Sequence, residues 1–439
     1  MNTSRAADKI ADLIVRQLIT EQWPEGTLIG TEASLIERFG VGRATLREVI
    51  RELELHGIVR MTRGAGLIVS APVRTHAIGA MTTYLLLLGP TPFAIGEARQ
   101  LIASHLAELA ALRIDEAGIA ALRDSSSMSS RIPMGERLQR SQEIVLQAAA
   151  NPILAIFWNV IETLASVWDR RQDAEVFANL RFTQDAIASG DGAAARYEAK
   201  RLYDPVSLDH KPAREAPDGV KRGAEIAWRI ARDNTVEFRK PGELLATETQ
   251  LIARYGVSRA IMREGLSILA SHGFVVRRRG VGGGVIMGKP NSSYTVAMSK
   301  TMLRSLQVAP DDLVDAQQVL QPHAAFRAAQ RRTPKQLDAM IAILLAPGMI
   351  DAGDDREFHN FVADASDQPI IALFIRVLLA TFYRMDPAEL SSEFLLKSRA
   401  SNTRLLVAIA DGDQICAHHH MLRHIEWERT ELRTGNITL

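Results

Sequence analysis

Two arginines four residues apart, Arg43 and Arg47, open a segment whose apolar residues Leu46, Val49, Ile50 and Leu53 recur at helical spacing. That spacing puts both guanidinium groups on one side of a helix, at its N-terminal end and away from the apolar stripe. A guanidinium fork can bond guanine O6 and N7 together, which is the chemistry of reading a base edge. Ala44 and Thr45, between the arginines, suit contact with a thymine methyl. Arg259 and Arg263 repeat the pair further along the chain, around Ala260 and Ile261. A second chemistry is suggested by Asp355 and His359, again one helical turn apart, so that a carboxylate and an imidazole can reach one cation. Each pattern has a plainer reading: helix arginines as a solvated face, and an Asp–His pair as a hydrogen bond in a polar pocket.

A helix that presents arginines in this way must be held by neighbours. Ile10, Leu13, Ile14 and Leu18 fall on one helical face, and Trp23-Pro-Glu-Gly26 then breaks the chain. A second helix is expected from about Thr31, which can serve as its N-cap, and Thr247 and Gln250 have capping-box spacing in the later copy. Gly40-Val-Gly42 and Gly256-Val-Ser258 make the turn into the arginine helix; His56-Gly57 and His272-Gly273 stop it. Met262, Leu266 and Leu269 form the buried stripe of the later copy, with Gly265 among them. The runs Ile58 to Thr62 and Leu67 to Val69 are β-prone, with Arg63-Gly-Ala-Gly66 as the hairpin tip.

Helix, helix, turn, helix and hairpin is a winged helix-turn-helix, whose third helix enters a DNA major groove by its N-terminal end. Arg63, and Arg277, Arg278 and Arg279 in the later copy, are placed to reach phosphate or the minor groove. Gly64, Gly66, Gly280 and Gly282 permit close approach of the backbone there.

Residues 31–66 align without gaps on residues 247–282, with 18 identities in 36 positions at a constant offset of 216. An offset of that size is a domain-scale duplication and not a solenoid repeat. Fainter echoes follow: Asn151-Pro-Ile-Leu with Gln368-Pro-Ile-Ile, and Ala186-Ile-Ala-Ser-Gly-Asp191 with Ala408-Ile-Ala-Asp-Gly-Asp413. The expected fold is mainly α. Two winged helix-turn-helix domains, each with a small β-hairpin wing, alternate with two all-α helical bundles of effector type. Expected boundaries are 1–72 and 220–290 for the winged domains, 73–205 and 291–439 for the bundles, and 206–219, rich in Pro, Asp and Lys, for the linker.

Composition sets outer limits. The 439 residues are 47% hydrophobic and 23% charged, a balance suited to several globular cores. The single cysteine, Cys416, excludes an internal disulfide framework and a Cys-based zinc finger, and fits a cytoplasmic setting. No segment is long and apolar enough to suggest a signal peptide or a membrane span. Whole-chain charge balances at +1, yet the copies differ: residues 1–72 carry nine basic and nine acidic residues, residues 218–290 thirteen and seven. The second winged domain should therefore supply more of the phosphate attraction. With Thr45 replaced by Ile261, the two half-sites read are expected to differ.

These segments resemble the GntR family of bacterial transcription regulators. The resemblance rests on Thr31-Glu32, on Leu35-Ile-Glu-Arg-Phe-Gly-Val-Gly-Arg-Ala-Thr-Leu-Arg-Glu-Val-Ile-Arg-Glu-Leu53, on Gly57-Ile-Val and on Arg63-Gly-Ala-Gly66. In the second copy it rests on Tyr255-Gly-Val-Ser-Arg-Ala-Ile-Met-Arg-Glu264 and Gly273-Phe-Val275. The family's usual proline before the Thr/Ser-Glu pair is Gly30 or Ala246 here, and its following arginine is Ala33 or Thr249. Thr31 and Thr247 join the candidate DNA contacts.

The bundles resemble the FadR-type effector domain (FCD-like) through Asp355-Arg-Glu-Phe-His359, Ala408-Ile-Ala-Asp-Gly-Asp413 and Met421-Leu-Arg-His424. That resemblance implies a small organic acid or related metabolite as effector. It also implies one divalent metal on Asp355, His359 and His424, with Asn402 at the remaining ligand position or His420 substituting for it. The aligned first-copy positions, Leu138, Gln142, Leu180 and Leu202, exclude metal there and leave either filled core or an apolar ligand pocket. Arg99, matched to Gln317, is a candidate for an effector carboxylate, or else a packing arginine.

The expected protein is thus a metabolite-responsive DNA-binding regulator and not an enzyme. Its two fused units act as a covalent pseudo-dimer, and a further homodimer remains open. The alternatives are a metal-dependent enzyme using Asp355, His359 and His424, and an architectural DNA-binding protein without effector.

Overall fold

The computed structural model describes residues 26–55, 59–62, 64–70, 73–127, 134–166, 174–205, 222–236, 240–278, 283–306, 308–345, 352–382 and 391–434, together with Ile14, Gln17 and Trp23. Of the expected first helix, only Ile14 and Gln17 lie among them. Arg63, Arg279, Gly280, Gly282, His56 and Gly57 lie outside the described residues, as does the expected linker 206–219.

In chain order the first half runs β1 (Leu28–Gly30), α1 (Glu32–Phe39), α2 (Arg43–Leu55), β2 (Val59–Thr62), β3 (Gly66–Val69), α3 (Val73–Leu88), α4 (Pro92–Arg113), α5 (Glu116–Ser127), α6 (Met134–Ala149), α7 (Pro152–Ala165), α8 (Ala174–Ala188) and α9 (Gly192–Leu202). After α10 (Arg222–Val236) the second half repeats that order element for element. It runs β4 (Leu244–Ala246), α11 (Glu248–Tyr255), α12 (Arg259–Ser271), β5 (Val275–Arg278), β6 (Gly284–Met287), α13 (Ser293–Ser305), α14 (Pro310–Arg331), α15 (Pro334–Leu344), α16 (Ala352–Ala365), α17 (Pro369–Phe382), α18 (Ser392–Asp411) and α19 (Gln414–Arg433). The expected class holds, mainly α with two small wings, and the duplication extends through the bundles.

The chain divides into two units, and each is built from both halves of the sequence. One comprises residues 1–89 and 218–307 and carries both winged domains. Each wing is a three-stranded antiparallel sheet, β1-β3-β2 or β4-β6-β5, where the sequence suggested a two-stranded hairpin. The extra strand is only three residues long, too short to show a period-two pattern. Gly66 lets it close: a Cβ there would lie 2.5 Å from the Gly30 carbonyl oxygen. Gly284, not Gly282, is its equivalent. Thr62 pairs with Gly66, and Arg278 with Gly284, so the second wing tip is two residues longer than the gapless alignment implied. Leu46, Val49, Ile50 and Leu53 are buried as their spacing predicts, as are Met262, Leu266 and Leu269. Each such side chain contributes about 1.5–3 kcal/mol by leaving water.

α3 and α13 belong to this unit and not to the bundles, so the boundaries fall at 89/90 and 307/308 in place of 72/73 and 290/291. The reason is packing. α3 lies against α13 and α10, and Met81, Leu85, Met298 and Met302 are buried. Gly89, at φ +65°, then ends α3 ahead of Pro90. Tyr84 on α3 meets Phe274 edge-on at 6.3 Å and His272 at 5.7 Å. His272 caps α12, and burial lowers its pKa to about 4.

The other unit, residues 90–217 and 308–439, holds both helical bundles. In the first, α4 packs against α6, α7, α8 and α9; in the second, α14 packs against α16, α17, α18 and α19. The two bundles meet along α4, α7, α14 and α17. Asn151 and Gln368, the matched residues before α7 and α17, reach across that seam in the same way. Asn151 Nδ2 donates to the Asp312 carbonyl at 3.0 Å, and Gln368 Nε2 donates to the Ala94 carbonyl at 2.8 Å. Between them Phe157 stacks on Phe374, with ring centroids 4.0 Å apart and planes 4° from parallel.

Candidate DNA interface and metal centre

The arginine helices are positioned from both ends. Thr31 accepts the Ser34 N–H and caps α1, and Gly40 at φ +62° ends it; Thr247 and Gln250 close a full capping box on α11. Both threonine hydroxyls are therefore committed to capping, which is a structural duty beside the DNA contact expected of them. Ser258 caps α12 by accepting the Ile261 N–H, whereas Gly42 in the first copy offers no side chain for this. On the helices themselves Arg43, Ala44, Arg47, Arg259, Ala260 and Arg263 are exposed, and Thr45 and Ile261 are half-buried. Gly64 is exposed at φ +81°, while Gly66 packs on β1, so its glycine is explained by that close approach.

Sequence reasoning missed the acidic partners of these arginines. Arg47 Nε donates to Glu32 Oε1 at 2.8 Å, and Arg43 Nε lies 3.6 Å from the same oxygen. Arg263 Nε donates to Glu248 Oε1 at 3.0 Å. The hydrogen bond from Arg47, with the nearby charges of Arg47 and Arg43, holds the Glu32 carboxyl below its usual range. Nothing in the local sequence signals this pairing, because the partners are fifteen residues apart and are joined only by the turn between the helices.

In the second bundle, ligand atoms of Asp355, His359 and His424 lie within 4.8 Å of one another, and all three residues are buried. α16 supplies the first two, one turn apart as expected, and α19 supplies the third. Asp355 Oδ1 accepts from Ser398 Oγ at 2.5 Å and from Asn402 Nδ2 at 2.7 Å. His359 Nδ1 bonds Gln321 Oε1 at 2.7 Å, which makes Nδ1 the protonated nitrogen and leaves the Nε2 lone pair free. Burial lowers the His359 pKa to about 4, so the ring is neutral near pH 7. His359 Nε2, both ring nitrogens of His424 and Asn402 Oδ1 are buried without a hydrogen-bond partner. Unpartnered imidazole nitrogens gathered with a carboxylate are costly in a core and suited to a cation. The residues present therefore fit a divalent metal, with Asn402 beside Asp355. His420 is not part of this group: it lies half-exposed near the His419 ring, so it does not substitute for Asn402. Glu428, one turn past His424 and 3.5 Å from its Nε2, is buried there too, and its spacing made it findable in the sequence.

Two sequence models match the chain. "Bacterial regulatory proteins, gntR family" covers residues 6–69 and 237–285, and "FCD domain" covers residues 312–426. The chain belongs to the GntR family. Its winged domains are DNA-binding, and it is a GntR-family transcription regulator with an FCD effector domain. An uncharacterised HTH-type transcriptional regulator of Bacillus subtilis, YcbG, is 25% identical over 209 residues, which are 45% of this chain and 83% of that protein. Another, Rv0494 of Mycobacterium tuberculosis, is 24% identical over 218 residues, 46% of this chain and 89% of that one. Such GntR relatives, nearly whole, match about half of this chain. The solved structure of a Streptococcus agalactiae GntR protein is 23% identical, covering 47% of this chain and 99% of its own, at a TM-score of 0.36. Among the described residues no helix is long and apolar enough to cross a membrane.

Within this GntR architecture the first bundle has taken another course. Leu138, Leu180 and Leu202 are buried, and Gln142 donates to the Tyr203 hydroxyl at 2.9 Å. Gln142, Leu180 and Leu202 border a cavity of about 30 Å³ together with Trp158 and Leu106, room for about one water. Gln142, Leu146 and Trp158 also line a neighbouring cleft of about 330 Å³ with Gln139, Glu143, Asn159 and Glu162. Arg99 does not line that cavity. Its Nε donates to Glu162 at 2.5 Å and its guanidinium lies 4.5 Å from the Tyr203 ring centroid, so its charge is already satisfied inside the bundle.

Proposed function

We propose that this regulator is a metabolite-responsive repressor that works as a covalent pseudo-dimer. The observation that carries the reading is the stack of Phe157 on Phe374. These are matched positions of the two copies, and a residue that meets its own counterpart is the mark of an isologous, two-fold contact. Asn151 and Gln368 support it with equivalent bonds in opposite directions. One chain then carries two heads and a pseudo-two-fold pair of bundles, and two heads are what a two-half-site operator requires. The first-copy contacts are Arg43, Ala44, Thr45 and Arg47, with Arg63 and Gly64 at the wing. Those of the second are Arg259, Ala260 and Arg263, with Arg279, Gly280 and Gly282.

In the second bundle Asp355, His359 and His424, with Asn402 alongside, would hold a divalent cation, and the cation would supply a Lewis-acid site for the carboxylate of a small organic acid. Gln321 orients His359, and Ser398 and Asn402 orient Asp355. The effector releases DNA only if it binds one arrangement of the molecule more tightly than another, and its affinity ratio for the two sets the size of the response.

The test is to titrate an operator duplex with the full chain and to measure the mass of the complex by sedimentation. One chain per duplex, with Arg43→Ala and Arg259→Ala each weakening it about 10–100-fold, is the expected result. Two chains per duplex, each engaging through one head, would overturn the pseudo-dimer.

A further inference from the structure

We propose that Glu32 and Glu248 are positioning residues for base readout: each fixes the fork of a recognition arginine and offsets its charge, so that the heads favour sequence over bare phosphate. This rests on the assignment of the two arginine helices to DNA. In both heads the carboxylate is the first residue of the helix that precedes the arginine helix, and a capped threonine fixes the backbone beside it. In both, the bond is made to the Nε of the second arginine, at 2.8 Å for Arg47 and 3.0 Å for Arg263. Use of Nε stops rotation of the guanidinium plane and leaves the two terminal Nη groups pointing onward, the pair that can meet guanine O6 and N7 together. Half of the aligned positions around this contact differ between the copies, yet the same bond forms twice.

The plain alternative is an exposed ion pair that merely holds two helices together. These side chains are largely solvent-accessible, Arg47 at 59% and Arg263 at 60%, and exposed pairs contribute little to folding. Their consequence should appear in binding instead. An arginine released from its carboxylate gains freedom to follow any phosphate and adds a full positive charge to the counterion balance. A carboxylate at the groove edge also repels phosphate, which penalises a head that is seated without its bases.

The experiment uses the full chain as wild type, as E32Q/E248Q and as E32D/E248D. A pool of randomised duplexes is enriched with the wild type, and affinity for the enriched duplex and for its shuffled version is measured across a salt series. For E32Q/E248Q the specific-to-shuffled ratio is expected to fall about tenfold or more. The slope of log affinity against log salt on the shuffled duplex should steepen by up to about 2, about one for each charge unmasked. E32D/E248D, which keeps the charge, should recover most of the ratio. An unchanged ratio and slope in E32Q/E248Q would overturn the proposal, and so would a parallel loss on both duplexes, which is what a purely scaffolding role produces. If the wild type enriches no sequence at all, the DNA reading itself fails and takes this inference with it. Enrichment by the wild type with an indifferent E32Q/E248Q sinks the glutamates alone.

Discussion

The two helical bundles are the same sequence of helices put to different ends. Where the second gathers ligand atoms of Asp355, His359 and His424, the first places Gln142, Leu180 and Leu202 around a small cavity with Trp158 and Tyr203. Both nonetheless keep the residues of the seam: Asn151 and Gln368 make matching bonds, and Phe157 and Phe374 face each other. The lesson is that packing across the seam and chemistry in the bundle interior are separable. Both copies keep their half of the shared contact while the interior residues differ.

The strongest way to break this comparison is to exchange the positions. Leu138→Asp places a carboxylate at a buried apolar position without a partner and should cost about 3–5 kcal/mol, read as a lowered urea midpoint. Asp355→Leu should instead leave the fold standing and remove a bound divalent cation, measured by metal analysis after gel filtration. Equal destabilisation by both, with no metal lost, would erase the distinction.

A second prediction concerns the second head and pH. His272 is buried at the end of the second arginine helix with its pKa lowered from 6.5 to about 4. A depressed pKa means that the unfolded chain binds a proton that the folded chain does not, so the contribution is complete above about pH 6.5 and is lost as pH falls toward 4. The loss should reach about 3 kcal/mol for the segment around α12. Hydrogen exchange of α12 between pH 7 and pH 4.5, with His272→Phe as the flat control, checks it; a pH-independent wild type would contradict it.

The smallest expected effect sharpens the difference in capping. Ser258 bonds the first turn of α12, while Gly42 gives α2 nothing, and a Cβ at Gly42 meets no atom within 4 Å. Gly42→Ser should stabilise the first head by a few tenths of a kcal/mol, seen in the exchange rates of the first turn of α2. Ser258→Gly should mirror it in the second head.

Much of this molecule is written in the linear sequence, because the deciding features are local. The arginine helices, their threonine caps and the stripe Leu46, Val49, Ile50 and Leu53 follow from helical periodicity. The Asp355–His359 pair follows from a single turn, and the duplication follows from identity at a fixed offset. Gly66 and Gly284 show where such reading ends: the alignment matched Gly66 to Gly282, and only strand pairing revealed the longer second tip. Arg99 shows the same limit, since its partner Glu162 is far away in sequence. Tertiary structure alone decided which matched residues meet across the seam, which glutamates hold the recognition arginines, and that α3 and α13 side with the heads. The physical reason is common to all of these. Periodicity and capping act within a turn or two of the chain, whereas these contacts form between segments brought together by burial of apolar faces, and the identity of the partner is not encoded at the residue that needs it.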